Sequence, residues 1–197
     1  MKYIIETHPH FAKMSSRIKI PDLTNFANNF DLIILFFGIL TVDVVVIFLT
    51  RYYPHFFGTA LNMWYTNFNL LAVLSDVLII LIGFQIARWI WTKYLRQMFG
   101  TNTLYFVALV VLVQMIHDIL FYIGVIKPIR PGHNAMMDVF KHYSQGGAKI
   151  IAADSLLMIF SFIVSAIYKA IPLEWSASAS IMVTYAMTYI LYTKPQL

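Results

Sequence analysis

Long apolar runs, each close to the length of a membrane-spanning helix, constrain this chain more than any other feature of its sequence. The clearest is LLAVLSDVLIILIGFQIARWI, residues 70–90. A helix rises 1.5 Å per residue, so about 20 residues cross a hydrocarbon core about 30 Å thick. Comparable runs cover residues 32–49, 104–126 and 148–170, and the shortest covers 176–192. The pattern predicts an all-α, polytopic transmembrane helical bundle of about five spans.

The composition favours a chain that lies mostly in lipid. Hydrophobic residues make up 60% of the sequence and charged residues 12%, whereas soluble domains average about 45–50% and 25%. A length of 197 residues leaves room for one membrane domain, residues 31–197, with short loops and no second, soluble domain. The lack of cysteine excludes disulfides, thiolate metal sites and a cysteine nucleophile.

Residues 1–30 form a basic, amphipathic N-terminal segment. It mixes Lys2, Lys13, Arg17 and Lys19 with apolar residues, as do segments that lie along a membrane surface. If the N-terminus is inside, the inner segments hold eight of the 14 Lys and Arg residues, so the positive-inside rule favours that orientation. The net charge of +5 is spread over loops, which suits anionic lipid headgroups and not a nucleic-acid groove.

Each of the four longest runs contains one aspartate. An aspartate at helix-centre depth costs about 2.5–3.5 kcal/mol, so it indicates an interior contact or a functional site. Because consecutive spans alternate in direction, the end of the first, the start of the second, the end of the third and the start of the fourth share one membrane face, face A. The acids lie about 9–12 Å of helix from those ends. We therefore predict one acid layer: Asp43, Asp76, Asp118 and Asp154.

Small and polar neighbours predict which helix faces point inward. Gln114 and His117 form one helical patch with Asp118, whereas Asp43 has only bulky neighbours. Arg88, near the opposite face B, is expected to extend to the headgroups. Because small side chains let membrane helices approach closely, we predict seven helix-packing residues: Gly83, Ala87, Gly147, Ser161, Ser180, Thr184 and Thr188.

Three functions are consistent with an acid layer. In the first, the acids are hydrogen-bonded packing groups. In the second, they form a proton or cation pathway, because several carboxylates in a low dielectric need a compensating proton or a bound cation. The third is a metal-dependent membrane enzyme with its site under the 127–147 connection, which offers His133, Asp138 and His142 as ligands. The sequence contains no HExxH, GxSxG or Walker motif, so no catalytic residue is assigned.

Three stretches resemble uncharacterised polytopic membrane proteins of large DNA viruses: YTNFNLLAVLSDVLIILIGFQIARWIW, IHDILFY and GGAKIIAADSLLMI. The resemblance covers spans 2 to 4. It implies a viral or host membrane and no particular activity. The partners expected are the lipid bilayer and either further copies of the chain or other membrane or virion proteins. Nucleic acid is not among them.

Overall fold

A computed structural model describes residues 20–194, and the regular structure in this part of the chain is helical. The basic residues predicted to lie on the membrane surface, 2–19, are outside the described residues, so that prediction and the orientation drawn from it remain predictions. The helices are α1 Phe30–Tyr52, α2 Pro54–Phe57, α3 Thr59–Phe68, α4 Leu70–Phe99, α5 Thr103–Ile126, α6 Ala135–Ser144, α7 Ala148–Ala170 and α8 Leu173–Leu191.

Within residues 20–194, four helices, α1, α4, α5 and α7, are long and apolar enough to cross a membrane. The predicted all-helical transmembrane bundle is therefore confirmed, and the chain is a multi-pass integral membrane protein. The predicted fifth span forms α8, which has 19 residues and carries Glu174 in its first turn. It is not one of the four helices that meet the length and hydropathy requirements.

The four spanning helices form a closed ring in the order α1, α4, α5, α7, and each packs against the two beside it. Since connected neighbours run antiparallel, the ring is an up-down-up-down bundle. Helix α8 packs outside the ring, mainly on α1. Arg51, in the last turn of α1, donates to the carbonyl of Leu191 at the end of α8, 3.1 Å away. These two helices therefore end at the same face, face A.

The closest approach between α1 and α7 depends on a glycine. A Cβ added at Gly38 would lie 2.1 Å from Ser165 Oγ and 2.9 Å from Ser165 Cα. One turn away, the hydroxyls of Thr41 and Tyr168 are 2.9 Å apart. The predicted packing positions that are buried are Gly83, Ala87, Ser161 and Ser180.

Three of the predicted packing residues are exposed and do not lie buried between helices. Gly147 is exposed before α7 with φ of +55°, a conformation that suits glycine, so it allows the helix to begin. Thr184 and Thr188 are exposed on α8, where their hydroxyls donate to backbone carbonyls of the same helix. In a helix of 3.6 residues per turn, side chains four residues apart point in directions that differ by about 40°. The face that is buried at Ser180 has therefore rotated outward at these two threonines.

Asp31 anchors a buried polar group at face B. It is fully buried, with Lys169 Nζ 2.6 Å from Oδ1 and the Arg88 guanidinium 3.7 Å from Oδ2. Arg88 also donates to the carbonyls of Asn25 and Asn28, which holds residues 20–29 across this end of the bundle. The expectation that Arg88 reaches the headgroups is wrong, because a buried carboxylate and two carbonyls bind it inside. We call Asp31, Arg88 and Lys169 the face B clamp.

Candidate functional site

Two adjacent side chains of α3 reach acids on two different spanning helices. Trp64 Nε1 donates to Asp76 Oδ2 of α4, and the Tyr65 hydroxyl donates to Asp43 Oδ1 of α1, both at 2.9 Å. Trp64, Tyr65 and Asp43 are buried. Their sequence explains the arrangement, since adjacent residues on a helix point about 100° apart and can address two neighbouring helices.

Tyr65 lies between the carboxyl groups of Asp43 and Asp76. Burial raises the pKa of Tyr65 well above its ordinary value, and the charges of both acids raise that pKa further. The phenol therefore keeps its proton at neutral pH and acts as a hydrogen-bond donor. Asp43 and Asp76 are thus joined to α3 through the adjacent residues Tyr65 and Trp64.

Tyr143 of α6 is influenced by the charges of the other acids. Burial raises the pKa of Tyr143, and the charges of Asp154, Asp76 and Asp118 raise that pKa further. Charges act on a neighbour in this way only over short distances, and most strongly in a low dielectric. Tyr143 is therefore within electrostatic range of acids on α4, α5 and α7. We use the name acid cluster for Asp43, Asp76, Asp118 and Asp154; the hydrogen bonds of three of these acids go to Trp64, Tyr65, Gln114 and His117 and not to one another.

The predicted polar patch on α5 forms as a hydrogen-bonded group. Gln114 Nε2 donates to Asp118 Oδ1 at 2.7 Å, and His117 Nδ1 lies 3.2 Å from the same oxygen. The side chains of His117 and Asp118 are 34% and 20% exposed, whereas Asp43 is fully buried. The acid cluster therefore extends from a closed interior position to a partly open edge.

Helices α3 and α6 form an aromatic roof over the acid cluster at face A. The ring of Trp64 lies 4.7 Å from that of Phe140, which in turn lies 6.0 Å from Phe121. Phe121 stacks on His117 at 5.5 Å. The sequence predicts that the aromatics of residues 51–69 sit at headgroup level. Trp64 and Tyr65 are buried, and their polar atoms donate to acids inside the protein.

The side chains predicted to bind a metal under the 127–147 connection do not assemble. His133 and His142 are exposed, and the Asp138 carboxylate accepts the Gly132 N–H at 3.0 and 3.2 Å, which closes the loop before α6. Within residues 20–194, no three His, Asp or Glu side chains are grouped so that they could hold a metal ion. A metal centre needs such a convergent set, so the described residues do not support the metalloenzyme alternative.

Five residues of the site and clamp were not predicted from the sequence: Trp64, Tyr65, Tyr143, Asp31 and Lys169. Trp64 and Tyr65 could have been recognised from one signal: they are adjacent on a short helix that precedes a span carrying an acid. For Asp31, the signal is its position in the first turn of an apolar helix. A carboxylate there interacts favourably with the positive end of the helix dipole.

Comparison with known proteins identifies no relative, so a function is inferred from the geometry of the structure alone. The chain matches no protein-family model, no curated protein and no solved structure. The resemblance to viral membrane proteins therefore remains a prediction.

Proposed function

We propose that this membrane protein binds protons in its acid cluster and conducts them across the bilayer. One observation carries the proposal: within residues 20–194, none of the four acids lies within 4.0 Å of a lysine or arginine nitrogen. Buried carboxylates in a low dielectric need a compensating positive charge. With no grouped metal ligands in the described residues, protons fit that requirement better than a multivalent cation.

The partly exposed pair of His117 and Asp118 supplies an entrance at face A. Histidine is the side chain whose ordinary pKa lies nearest neutrality, so it suits exchange of protons with water. From this pair, the cluster leads inward past Asp154 and Asp76 to the fully buried Asp43. The gradient of exposure gives the proton path a direction, from the edge toward the centre of the bundle.

Buried hydroxyls continue the path toward face B. The Oγ atoms of Ser161 and Ser165 are fully buried and have no hydrogen-bond partner within the described residues. By contrast, Ser155 and Thr41 donate to carbonyls of their own helices, as hydroxyls in membrane helices commonly do. The two unpaired serines lie on α7 between Asp154 and Lys169 of the face B clamp, so polar groups follow the bundle from one face to the other.

The test is proton flux into liposomes that contain the purified protein, driven by a potassium diffusion potential and read with an internal pH dye. We expect flux from the wild type and at least a tenfold loss in Asp76→Asn and Asp154→Asn, because an amide cannot carry the proton. Asp138→Asn, in the first turn of α6 and outside the acid cluster, is the matched control and keeps wild-type flux. A wild type without flux above protein-free liposomes contradicts the proposal. Sodium or potassium gradients, read with dyes specific for each ion, test the cation version.

A second function, docking of α3 by the acids, is favoured by the hydrogen bonds from Trp64 and Tyr65. Here the carboxyls act as acceptors that hold α3 on the bundle and move no proton. This function predicts no flux in the wild type and loss of folding in Asp76→Asn. The thermal midpoints of the same variants, measured in detergent, separate it from proton conduction.

A further inference from the structure

A groove on the outer surface of the bundle lies away from the acid cluster. It has a volume of about 470 Å³ and runs along α4, with Leu32 of α1 on one side and Phe26 over its end. From α4 it is lined by Leu78, Ile82, Gln85 and Trp89, among others. The lining is apolar except for Gln85, so the groove suits a hydrocarbon chain.

The groove has the length of one membrane leaflet. Leu78 and Trp89 are 11 residues apart, which corresponds to about 16 Å of helix. Half of a hydrocarbon core about 30 Å thick is about 15 Å. Trp89 lies near face B, beside Tyr94, in the mixture of aromatic and basic residues typical of the headgroup level. An acyl chain of the face B leaflet would therefore extend from Trp89 to Leu78.

A lysine without an acidic partner stands at the headgroup end of the groove. Lys93 Nζ lies 5.2 Å from the ring centroids of both Trp89 and Tyr94. Within residues 20–194 it forms no ion pair, whereas Arg96 pairs with Asp22 and Arg88 pairs with Asp31. The exposed charge that remains at this end is positive, which complements an anionic headgroup.

Gln85 places a polar group between the headgroup end and the apolar end. Its Oε1 accepts from the Arg88 guanidinium at 2.5 Å, so its amide N–H groups remain as donors in the groove. Gln85 lies four residues, about 6 Å of helix, deeper than Trp89. The ester carbonyls of a phospholipid lie on the membrane-interior side of its phosphate, and they could accept hydrogen bonds from the Gln85 amide.

We propose that this groove binds one acyl chain of an anionic phospholipid from the leaflet at face B, with the phosphate at Lys93 and an ester carbonyl at Gln85. The site is independent of proton conduction, since it lies outside the helical ring. Phe26 belongs to the segment that the face B clamp holds, so the bound lipid also contacts residues 20–29.

Native mass spectrometry of the purified full chain tests the site. The protein is titrated in detergent with phosphatidylglycerol and with phosphatidylcholine of identical acyl chains. We expect the wild type to retain the anionic lipid at least fivefold better than the zwitterionic one. Lys93→Gln is expected to abolish this preference, and Ile82→Trp, which fills the groove, to reduce retention of both lipids at least fivefold.

Matched controls come from exposed positions elsewhere on the chain. Lys127→Gln removes a charge at face A, and Ile181→Trp enlarges an apolar side chain on α8. Both are expected to bind lipid like the wild type. Equal retention of the two lipids by the wild type overturns the proposal, as does a Lys93→Gln variant with undiminished preference. Since Lys93 is exposed, that variant folds and decides the question even if Ile82→Trp does not.

Discussion

The hydroxyl of Tyr65 donates a 2.9 Å hydrogen bond to Asp43 Oδ1, and so joins the roof of the bundle to a fully buried acid of α1. The neighbouring Trp64 makes the equivalent bond to Asp76. Helix α3 does not cross the membrane, yet its side chains complete the polar interior of helices that do. Hydrogen bonds that cross between helices in this way are one source of association in lipid.

Removing the tyrosine hydroxyl should destabilise the protein. Tyr65→Phe takes away the donor to Asp43 and leaves a buried carboxyl group unsatisfied, which costs about 1–3 kcal/mol. We expect a lower thermal midpoint in detergent. Tyr185→Phe is the matched control, because the Tyr185 hydroxyl is exposed and bonds only to Tyr189. Equal midpoints for the two variants would show that the Tyr65 bond contributes nothing.

Breaking the face B clamp should cost more. Asp31→Asn removes the partner of Arg88 and Lys169, and removal of one partner from a buried ion pair costs about 3–5 kcal/mol. The value should lie at the lower end, since the Lys169 side chain is 22% exposed. We also expect faster protease cleavage within residues 20–29. Glu174→Gln, on the exposed start of α8, should leave both measurements unchanged, and an unchanged Asp31→Asn would exclude the clamp.

The approach of α1 to α7 should tolerate no side chain at Gly38. Gly38→Ala places a Cβ against Ser165, and overpacking of this kind costs about 1–3 kcal/mol. Adding Ser165→Ala should recover only part of the loss, because the Ser165 backbone also lies within 2.9 Å of the new Cβ. Gly124→Ala, with no atom within 4 Å of its Cβ, should be neutral. Full recovery by Ser165→Ala would place the strain on the side chain alone.

The spanning helices could be predicted from the sequence because the requirement for crossing a bilayer is local. Length and apolarity can be read from each run, and the observed bounds of α5 and α7 lie within one residue of those predicted. The common depth of the acids also follows from local information, since alternating direction fixes which ends share a face. The acid layer stays a prediction, because a common depth along the helices does not determine how the acids are placed laterally.

The hydrogen-bond partners of the acids could not be predicted in that way. Tyr65 is 22 residues from Asp43, and Lys169 is 138 residues from Asp31. Both contacts depend on how α3 folds back over face A and on which helices become neighbours in the ring. Asp43 illustrates the limit: bulky neighbours suggest a lipid-facing position, yet α1 contacts α4, α7 and α8 and is buried on several sides.

A double-mutant cycle between Asp43→Asn and Asp76→Asn is the most direct test that acids from separate helices form one cluster. Unfolding in mixed micelles with increasing SDS gives the free energy for each variant. Because both acids face Tyr65, we predict a coupling energy of about 0.5–3 kcal/mol. The control pair, Asp43→Asn with Glu174→Gln, should be additive. Additivity between Asp43→Asn and Asp76→Asn would contradict a shared acid cluster.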